Sequence, residues 1–173
     1  RLEKDEEDSS VELLSQPIAP VILRAVSQVM KRATEKEITI SCDFKNDQIL
    51  GEINESLLEQ SLINLVDNAV KYSSVGSSIL LGLVEFKDFV SITVSDDGPG
   101  IPSQHLNRLF ERFYRVDKAR TSNVGGTGLG LSIVKHIASA HNGSVSVDSV
   151  LGEGSCFKIT LPKNKTTKIS LED

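Results

Sequence analysis

Two pairs of apolar, β-branched segments constrain the fold of this chain more than any other feature. Residues 79–86 and 89–94 are separated only by Lys87-Asp88, and residues 145–150 and 156–161 by a glycine-bearing turn. Strands this close in sequence pair as antiparallel hairpins, because a parallel pair needs a long crossover. The sheet is therefore predicted to be mixed or mostly antiparallel, which argues against a doubly wound fold.

Three segments carry apolar residues at helical spacing, which predicts three main helices that each bury one face. The apolar sets are Ile18, Ile22, Ala25 and Val29, then Leu58, Leu62, Leu65 and Ala69, then Ile133, Val134, Ile137 and Ala138. Helices that alternate with hairpins gather on one face of the sheet. The predicted fold class is α+β, a two-layer α/β sandwich.

Smaller elements follow from local patterns. Short strands are predicted at residues 11–14, 38–44 and 48–50, with the last paired beside the second, and a short helix is predicted at 106–113. Residues 114–126 contain turn formers and charge without periodicity, which predicts a long surface loop. Loops of this length in a compact domain are usually functional or disordered.

Four single residues carry predictions about local structure. Asn54 precedes the central helix and is predicted as its N-cap, and Gly143 follows the last helix and is predicted as a left-handed cap. Cys42 and Cys156 lie far apart, without the spacing of a zinc site or a disulfide framework. Both are predicted to be buried free thiols.

The central helix also has a polar face. Asn64 and Asn68 are one turn apart, and Lys71 extends the same face three residues later. Carboxamide oxygens suit a hard cation such as Mg²⁺ that already sits on phosphates, and a lysine adds a point charge for those phosphates. The alternative is an ordinary solvated stripe on an amphipathic helix.

Two glycine-rich loops indicate a second part of a ligand site. Gly98 and Gly100 follow Asp96 at a predicted strand end, where its carboxylate could accept a hydrogen bond from an exocyclic amine such as that of adenine. An ordinary turn aspartate is the alternative. The other loop contains Gly125, Gly126, Gly128 and Gly130 and runs directly into a helix, whose N-terminus can bind phosphate. It lacks the lysine of a GxxxxGK loop, and no strand leads into it as in a dinucleotide-binding turn.

The charge distribution agrees with an anionic ligand. The net charge of −5 argues weakly against nucleic-acid binding, whereas residues 108–120 are basic inside an acidic chain. No apolar run approaches about eighteen residues and no leader is present, so the chain as given is predicted to be neither a membrane span nor a secretory precursor. The start at Arg1-Leu2-Glu3 suggests a cut inside a longer protein.

The order of these motifs resembles the catalytic, ATP-binding domain of a sensor histidine kinase. Residues 64–72 resemble its asparagine box, 96–102 its first glycine box, 109–115 its phenylalanine box and 126–131 its second glycine box. The resemblance spans about residues 11–161. It implies a Bergerat-type ATP site with a long ATP lid.

The resemblance also implies a role for each matching residue. Asn68, with Asn64 alongside, would hold Mg²⁺, and Asp96 would bind the adenine amine. The phosphates and the sugar side would meet Lys71 and Tyr72, and Arg115 would contact phosphate from the lid. The remaining nucleotide-binding positions implied are Gly98, Gly100, Ile101, Thr127, Gly128, Leu129, Gly130 and Leu131. Phe110 and Phe113 would be packing residues that anchor the lid.

Two departures from related enzymes shape the expected reaction. ATPases of the same superfamily have a glutamate where this chain has Asn64, and a neutral amide is a poor general base, so slow free hydrolysis is expected. The acceptor histidine of such kinases precedes an acidic residue, which is true of none of His105, His136 and His141. His105 and His136 are predicted at the surface, and His141 at a helix end.

Further expectations concern the parent protein. Residues 1–10 would be a linker remnant, 11–162 the catalytic domain and 163–173 a polar tail. The phosphoacceptor would be a dimerisation domain outside this chain, and a response regulator would be the next partner. The fragment would be a cytoplasmic monomer, and the parent a homodimeric inner-membrane sensor.

Three other functions remain open at this point. An anti-sigma-type serine kinase shares the fold, but that family lacks a lid with the run at residues 110–115. An ATPase-driven clamp or chaperone domain would hydrolyse ATP at steady state. A degenerate interaction module would not bind nucleotide.

Overall fold

The computed structural model describes residues 10–116 and 130–163. Its elements in chain order are β1 (Leu14–Pro17), α1 (Ala19–Glu35), β2 (Thr39–Asp43), β3 (Leu50–Ile53), α2 (Glu55–Tyr72), β4 (Ser78–Glu85), β5 (Phe89–Asp96), α3 (Ser103–Leu106), α4 (Gly130–Ala140), β6 (Ser144–Val150) and β7 (Gly154–Pro162).

The main sheet has five strands in the order β2-β4-β5-β7-β6. Strand β2 runs parallel to β4, and every other neighbouring pair is antiparallel. Both predicted hairpins are present, β4 with β5 and β6 with β7. The prediction of a mixed, mostly antiparallel sheet is confirmed.

One face of this sheet is covered by helices. Along β4, Ile79, Leu81 and Leu83 are buried, whereas Leu80 and Val84 on the other face are exposed. This alternation follows from the two-residue period of a strand. The buried residues of α1 and α2 and Val134 of α4 join the same core, so the predicted two-layer sandwich is confirmed.

The end of α2 is held by the lysine that caps the end of α1. Lys36 Nζ donates to the carbonyl oxygens of Val70 at 2.8 Å, Lys71 at 3.2 Å and Ser73 at 2.7 Å. The last carbonyls of a helix have no partner within it, and a cation there is also favoured by the helix dipole. Lys36 therefore anchors the segment that carries Lys71 and Tyr72.

The predicted positions of the first and third strands were wrong. Strand β1 lies at Leu14–Pro17 instead of residues 11–14, and β3 lies at Leu50–Ile53. These two strands form a separate antiparallel pair, so β3 does not lie beside β2. The pairing brings Ile53 into the core with Ile18, which is a long-range contact that local patterns do not reveal.

The prediction of a helix at residues 106–113 was also wrong. Only Ser103–Leu106 is helical, and the chain then continues in turns whose amides bond three residues back, from Arg108 to His105 and from Glu111 to Arg108. Phe113 has a φ of 65°, a left-handed conformation that ends a right-handed helix.

The last helix ends differently from the prediction. Asn142, not Gly143, adopts the left-handed conformation, with a φ of 58°. Asparagine tolerates this region better than most residues. Gly143 is required for a different reason, since a Cβ there would lie 2.1 Å from the carbonyl oxygen of Thr160 in β7.

Several other local predictions can be compared with the structure. Asn54 is the N-cap of α2, as predicted, and its side chain accepts from the amide of Leu57 at 3.1 Å. Cys42 and Cys156 are free but only half-buried, and burial raises the pKa of the Cys42 thiol. In the described parts of the chain, no helix is long and apolar enough to cross a membrane.

Candidate functional site

The polar face of α2 lies beside the beginning of α4. Asn64, Asn68 and Lys71 are all half-buried. The Nδ2 atom of Asn64 donates to the carbonyl oxygen of Gly130 at 3.4 Å, which joins the two helices. Helix α4 therefore begins next to the amides of α2, and its N-terminal N–H groups provide a favourable environment for an anion.

The ammonium of Lys71 has a carboxylate partner on its own helix. Its Nζ lies 3.1 Å from Asp67, one turn earlier, and the other oxygen of Asp67 pairs with Arg32 of α1. Asp67 therefore sits between two cations. Its position four residues before Lys71 could have been noticed in the sequence, whereas the contribution of Arg32 depends on how α1 packs on α2.

Asp96 ends β5 in a partly desolvated position. Its Oδ1 accepts from the amide of Gly98 at 3.0 Å. Burial raises the pKa of this carboxyl group, and hydrogen bonds from the backbone of Gly98 and Ser155 oppose the shift. Asp97 has a different, structural contact, because its Oδ1 accepts from the amide of Ser78 at 3.1 Å.

Gly98 lies where the end of β5 meets the end of α2. A Cβ on this glycine would lie 2.9 Å from Asp96 Oδ1 and 3.5 Å from both Ser73 Oγ and the carbonyl oxygen of Tyr72. Any larger residue would therefore displace the carboxylate. Ser73 was missed in the sequence, and its hydroxyl is buried with no hydrogen-bond partner among the described residues. The side chain of Tyr72 is 51% exposed.

The other glycine of this loop packs against the β6–β7 hairpin. Gly100 has a φ of +71°, and a Cβ there would lie 2.3 Å from the carbonyl oxygen of Val150. The amide of Gly152 also donates to the carbonyl oxygen of Pro99 at 2.7 Å. Close packing of the backbone is therefore enough to explain why a glycine is needed at position 100, and no ligand has to be invoked. The neighbouring Ile101 is held by a bond from its amide to Ser149 Oγ at 2.8 Å.

The phenylalanine-rich segment divides into packed and exposed residues. Phe110 packs edge-on against Phe157 of β7, with ring centroids 6.2 Å apart, as predicted for an anchor. Phe113 is 63% exposed, so the prediction that it packs was wrong. Its ring lies instead beside the guanidinium of Arg112, which is 5.5 Å from the ring centroid. Arg115, a predicted phosphate contact, is half-buried.

One of the three histidines differs from its predicted environment, and the other two lie where they were expected, at the surface and at a helix end. His136 is exposed, as expected. His105 is half-buried and not a free surface residue, because its Nδ1 bonds the hydroxyl of Tyr114. His141 follows α4 and is buried, with both ring nitrogens hydrogen-bonded. The bond to Ile137 is local to α4, whereas nothing in the sequence indicated the bond to Asn54, which lies 87 residues away.

The described residues cover part of the predicted second glycine loop. Gly130 begins α4, and Leu131 packs against the core. Thr127, Gly128 and Leu129 lie outside the described residues. Within residues 10–116 and 130–163, no cluster of three His, Cys, Asp or Glu side chains could hold a metal. A metal here would therefore depend on the neutral amides and on oxygens of a ligand.

Comparisons with known proteins agree with this geometry. Residues 53–165 match the family model described as histidine kinase-, DNA gyrase B- and HSP90-like ATPase. The chain is 41% identical to the sensor-like histidine kinase SenX3 of Mycolicibacterium smegmatis, over 83% of this chain and only 37% of that protein. It spans little more than a third of this relative.

Two solved structures are similar in fold as well as in sequence. The mycobacterial sensor histidine kinase MprB superposes with a TM-score of 0.77 and 30% identity, over 86% of this chain and 97% of that one. Full-length ShkA in complex with AMPPNP superposes with a TM-score of 0.75 and 29% identity, over 93% of this chain and 34% of that one.

Proposed function

This chain belongs to the family of histidine kinase-, DNA gyrase B- and HSP90-like ATPases, and we propose that it is the catalytic domain of a sensor histidine kinase. In this proposal it binds Mg-ATP and donates the γ-phosphate to a histidine on a dimerisation domain outside the chain. One observation carries the proposal. The amide face of α2, the start of α4 and the carboxylate of Asp96 lie on adjoining elements.

The geometry suggests how a nucleotide would lie. Asp96 and Gly98 meet the end of α2 near Tyr72, whereas Asn64 meets the start of α4. Asn64 and Tyr72 are eight positions apart, which corresponds to about 12 Å along a helix. An extended nucleotide would place its adenine amine on Asp96 and its phosphates towards the first turn of α4, because the N-terminus of a helix favours anions.

Asn68 and Asn64 fit a magnesium ion that is shared with the phosphates. Their carboxamide oxygens are hard, neutral ligands, and Mg²⁺ bound to nucleotides commonly takes few protein ligands. When bound, the ion would neutralise charge that develops on the transferred phosphoryl group. Lys71 and Arg115 would add positive charge at the same phosphates, so catalysis would be mainly positioning and electrostatic stabilisation.

The chain lacks a base for efficient hydrolysis at Asn64. The amide of this residue donates to Gly130 in the structure, and an amide does not remove a proton from water at neutral pH. Water would therefore react slowly with the bound triphosphate. The phosphoryl group is retained until a histidine nucleophile is presented.

Wider features of the parent protein belong to the same proposal. Residues 11–162 would form the catalytic domain, flanked by a linker at 1–10 and a tail at 163–173. The dimerisation domain and a response regulator would be its partners, and the fragment alone would be monomeric. The parent would be a homodimeric inner-membrane sensor whose catalytic domain faces the cytoplasm. The length of SenX3, of which this chain covers 37%, supports a longer parent.

Phosphotransfer is the direct test of this function. The chain, ATP and Mg²⁺ are mixed with the cognate dimerisation domain, and phosphohistidine is measured by its acid lability. We expect label on that domain and none when its acceptor histidine is replaced by alanine. If the chain binds ADP but no phosphohistidine forms, the proposed transfer is refuted. Steady-state ATP hydrolysis by the chain alone would favour a clamp ATPase. Absence of ADP binding would favour a degenerate interaction module.

The ion pair of Lys71 leads to a prediction about affinity. Nucleotide phosphates must compete with Asp67 for this ammonium, so Asp67→Asn removes both a competitor and a nearby negative charge. We expect ADP to bind about threefold more tightly at low salt, with a smaller gain at high salt. Calorimetry in the presence of Mg²⁺ measures this effect.

Asp88→Asn is the matched control for that variant. It removes the same charge directly before the first residue of β5, at the end of the strand away from Asp96. ADP affinity should therefore stay at the wild-type value. Weaker binding by Asp67→Asn would show that Asp67 orients Lys71 and does not compete for it.

A further inference from the structure

His141 is a buried imidazole that joins the end of α4 to the beginning of α2. The residue is 1% exposed. Its Nδ1 lies 2.8 Å from the carbonyl oxygen of Ile137, and its Nε2 lies 3.0 Å from the amide nitrogen of Asn54. A carbonyl only accepts and an amide N–H only donates, so Nδ1 carries the proton and Nε2 is the acceptor.

The bond from Asn54 to His141 supplies an acceptor for the N-cap amide, which the sequence of α2 lacks. In a capping box, a Glu or Gln three residues after the N-cap accepts a hydrogen bond from the backbone N–H of the N-cap. The corresponding residue after Asn54 is Leu57, which has no acceptor. The half of the cap made by the Asn54 side chain is present, and His141 completes the other half from a different helix.

The bond is a polar anchor between the N-cap of α2 and the residue that follows α4. A second polar contact, from Asn64 to Gly130, lies at the opposite end of α4. At 1.5 Å per residue, Asn54 and Asn64 are about 15 Å apart along α2, and Gly130 and His141 about 16 Å apart along α4. The two helices run in opposite directions, so anchors with matching separations set the axial position of α4 on α2.

We propose that His141 is a positioning residue for the nucleotide site. It sets the axial position of α4 on α2 and thereby the place of the α4 N-terminus beside Asn64. The inference rests on the proposed function, because it assigns the phosphates to that N-terminus. A helix that loses an anchor at one end can slide or tilt, and its first-turn amides then no longer meet the phosphates in one arrangement.

Two substitutions of His141 separate its two hydrogen bonds. The side-chain amide of glutamine extends to the place of Nε2, so His141→Gln keeps an acceptor for Asn54. The shorter amide of asparagine reaches only the place of Nδ1, so His141→Asn keeps the bond to Ile137 alone. Calorimetry with Mg²⁺ should show that His141→Asn binds ADP about tenfold more weakly than wild type, and that the ADP affinity of His141→Gln stays within about twofold of wild type. Urea unfolding of both variants establishes that each is folded in the calorimeter.

The outcomes distinguish this inference from the proposed function. Wild-type protein that does not bind ADP would contradict the function itself. Normal binding by wild type and by His141→Asn, even with lowered stability, would show that His141 is only structural. Equal losses in both variants would also overturn the inference, because glutamine retains the acceptor.

A measurement on the wild-type protein tests the same inference if the variants do not fold. Coupling between two sites is reciprocal, so a contact that strengthens nucleotide binding is itself strengthened by nucleotide. Saturating ADP should therefore slow hydrogen exchange at the Asn54 amide by about tenfold more than at Leu57, whose acceptor is the Asn54 side chain. Equal changes at both amides, or none at Asn54, would overturn the role of His141.

Discussion

Asp96→Asn is expected to reduce ADP affinity by about a hundredfold while the domain stays folded. The Oδ1 atom of an asparagine at this position would keep the bond from Gly98, so its other polar atom would be an NH₂ donor. A donor would then face the donating amine of adenine. Calorimetry with ADP and Mg²⁺ measures the loss, and the same substitution should abolish detectable phosphotransfer.

Although Asp96→Asn should weaken ADP binding, it should not lower the stability of the domain. Burial raises the pKa of this carboxyl group, so the folded state favours the neutral acid more than the unfolded state does. Its stabilising contribution is fully present below the unfolded pKa and is lost as pH rises through the folded pKa. Asparagine stays neutral, so at pH 7 the variant should unfold at the same temperature as wild type or a higher one.

Asp97→Asn provides the control for this prediction. It makes the same change at the next residue, which is exposed and contacts the Ser78 amide through an oxygen that asparagine keeps. ADP affinity should remain within about twofold of wild type, because Asp97 lies outside the proposed contact with adenine. Wild-type ADP affinity in Asp96→Asn would remove Asp96 from the site.

Asn68→Ala is expected to have the second large effect, and it should depend on magnesium. Loss of the proposed metal ligand and of the transition-state stabilisation it would supply should lower phosphotransfer by at least about a hundredfold. ADP affinity should fall strongly with Mg²⁺ and little in EDTA, because the substitution leaves the proposed adenine contact at Asp96 unchanged. Phosphohistidine formation and paired titrations with and without Mg²⁺ measure both effects.

Misfolding is an improbable cause of that loss. Asn68 is half-buried on a helix, and alanine has a higher helix propensity, so the thermal midpoint should not fall. Gln60→Ala removes a comparable amide from an exposed position of the same helix and should leave affinity and transfer unchanged. An equal loss of ADP affinity with and without Mg²⁺ would contradict the assignment of Asn68 to the metal.

The hairpins and the buried faces of the helices were predictable because both depend on short-range periodicity. Ile79, Leu81 and Leu83 alternate on a strand, and Leu58, Leu62 and Leu65 recur on a helix, and all six are buried. The partner of β3 was not predictable in this way. It pairs with β1, and the paired residues are 33 (Pro17 and Leu50) to 39 (Leu14 and Ile53) positions apart, so local composition contains no information about that register.

For the candidate site, too, the residue types could be predicted from the sequence but their arrangement in space could not. The amides of Asn64 and Asn68, the carboxylate of Asp96 and the glycine loops were found as residue types at given spacings. Their mutual arrangement could not be found from the sequence. The contact between Asn64 and Gly130 and the approach of Gly98 to Tyr72 depend on how helices and strands pack. The resemblance to histidine kinases supplied the expectation that these motifs converge, and membership of the family is confirmed.

By itself, the sequence determined the fold class, the family and the chemical groups available to a nucleotide. Only the tertiary structure decided which residues support those groups. Lys36 holds the end of α2, Arg32 shares Asp67 with Lys71, and His141 completes the cap at Asn54. Such partners satisfy donors, acceptors and charges left open by their own segments, and they come from any part of the chain that packs nearby. Periodicity does not encode them, because they are chosen by proximity in the folded domain.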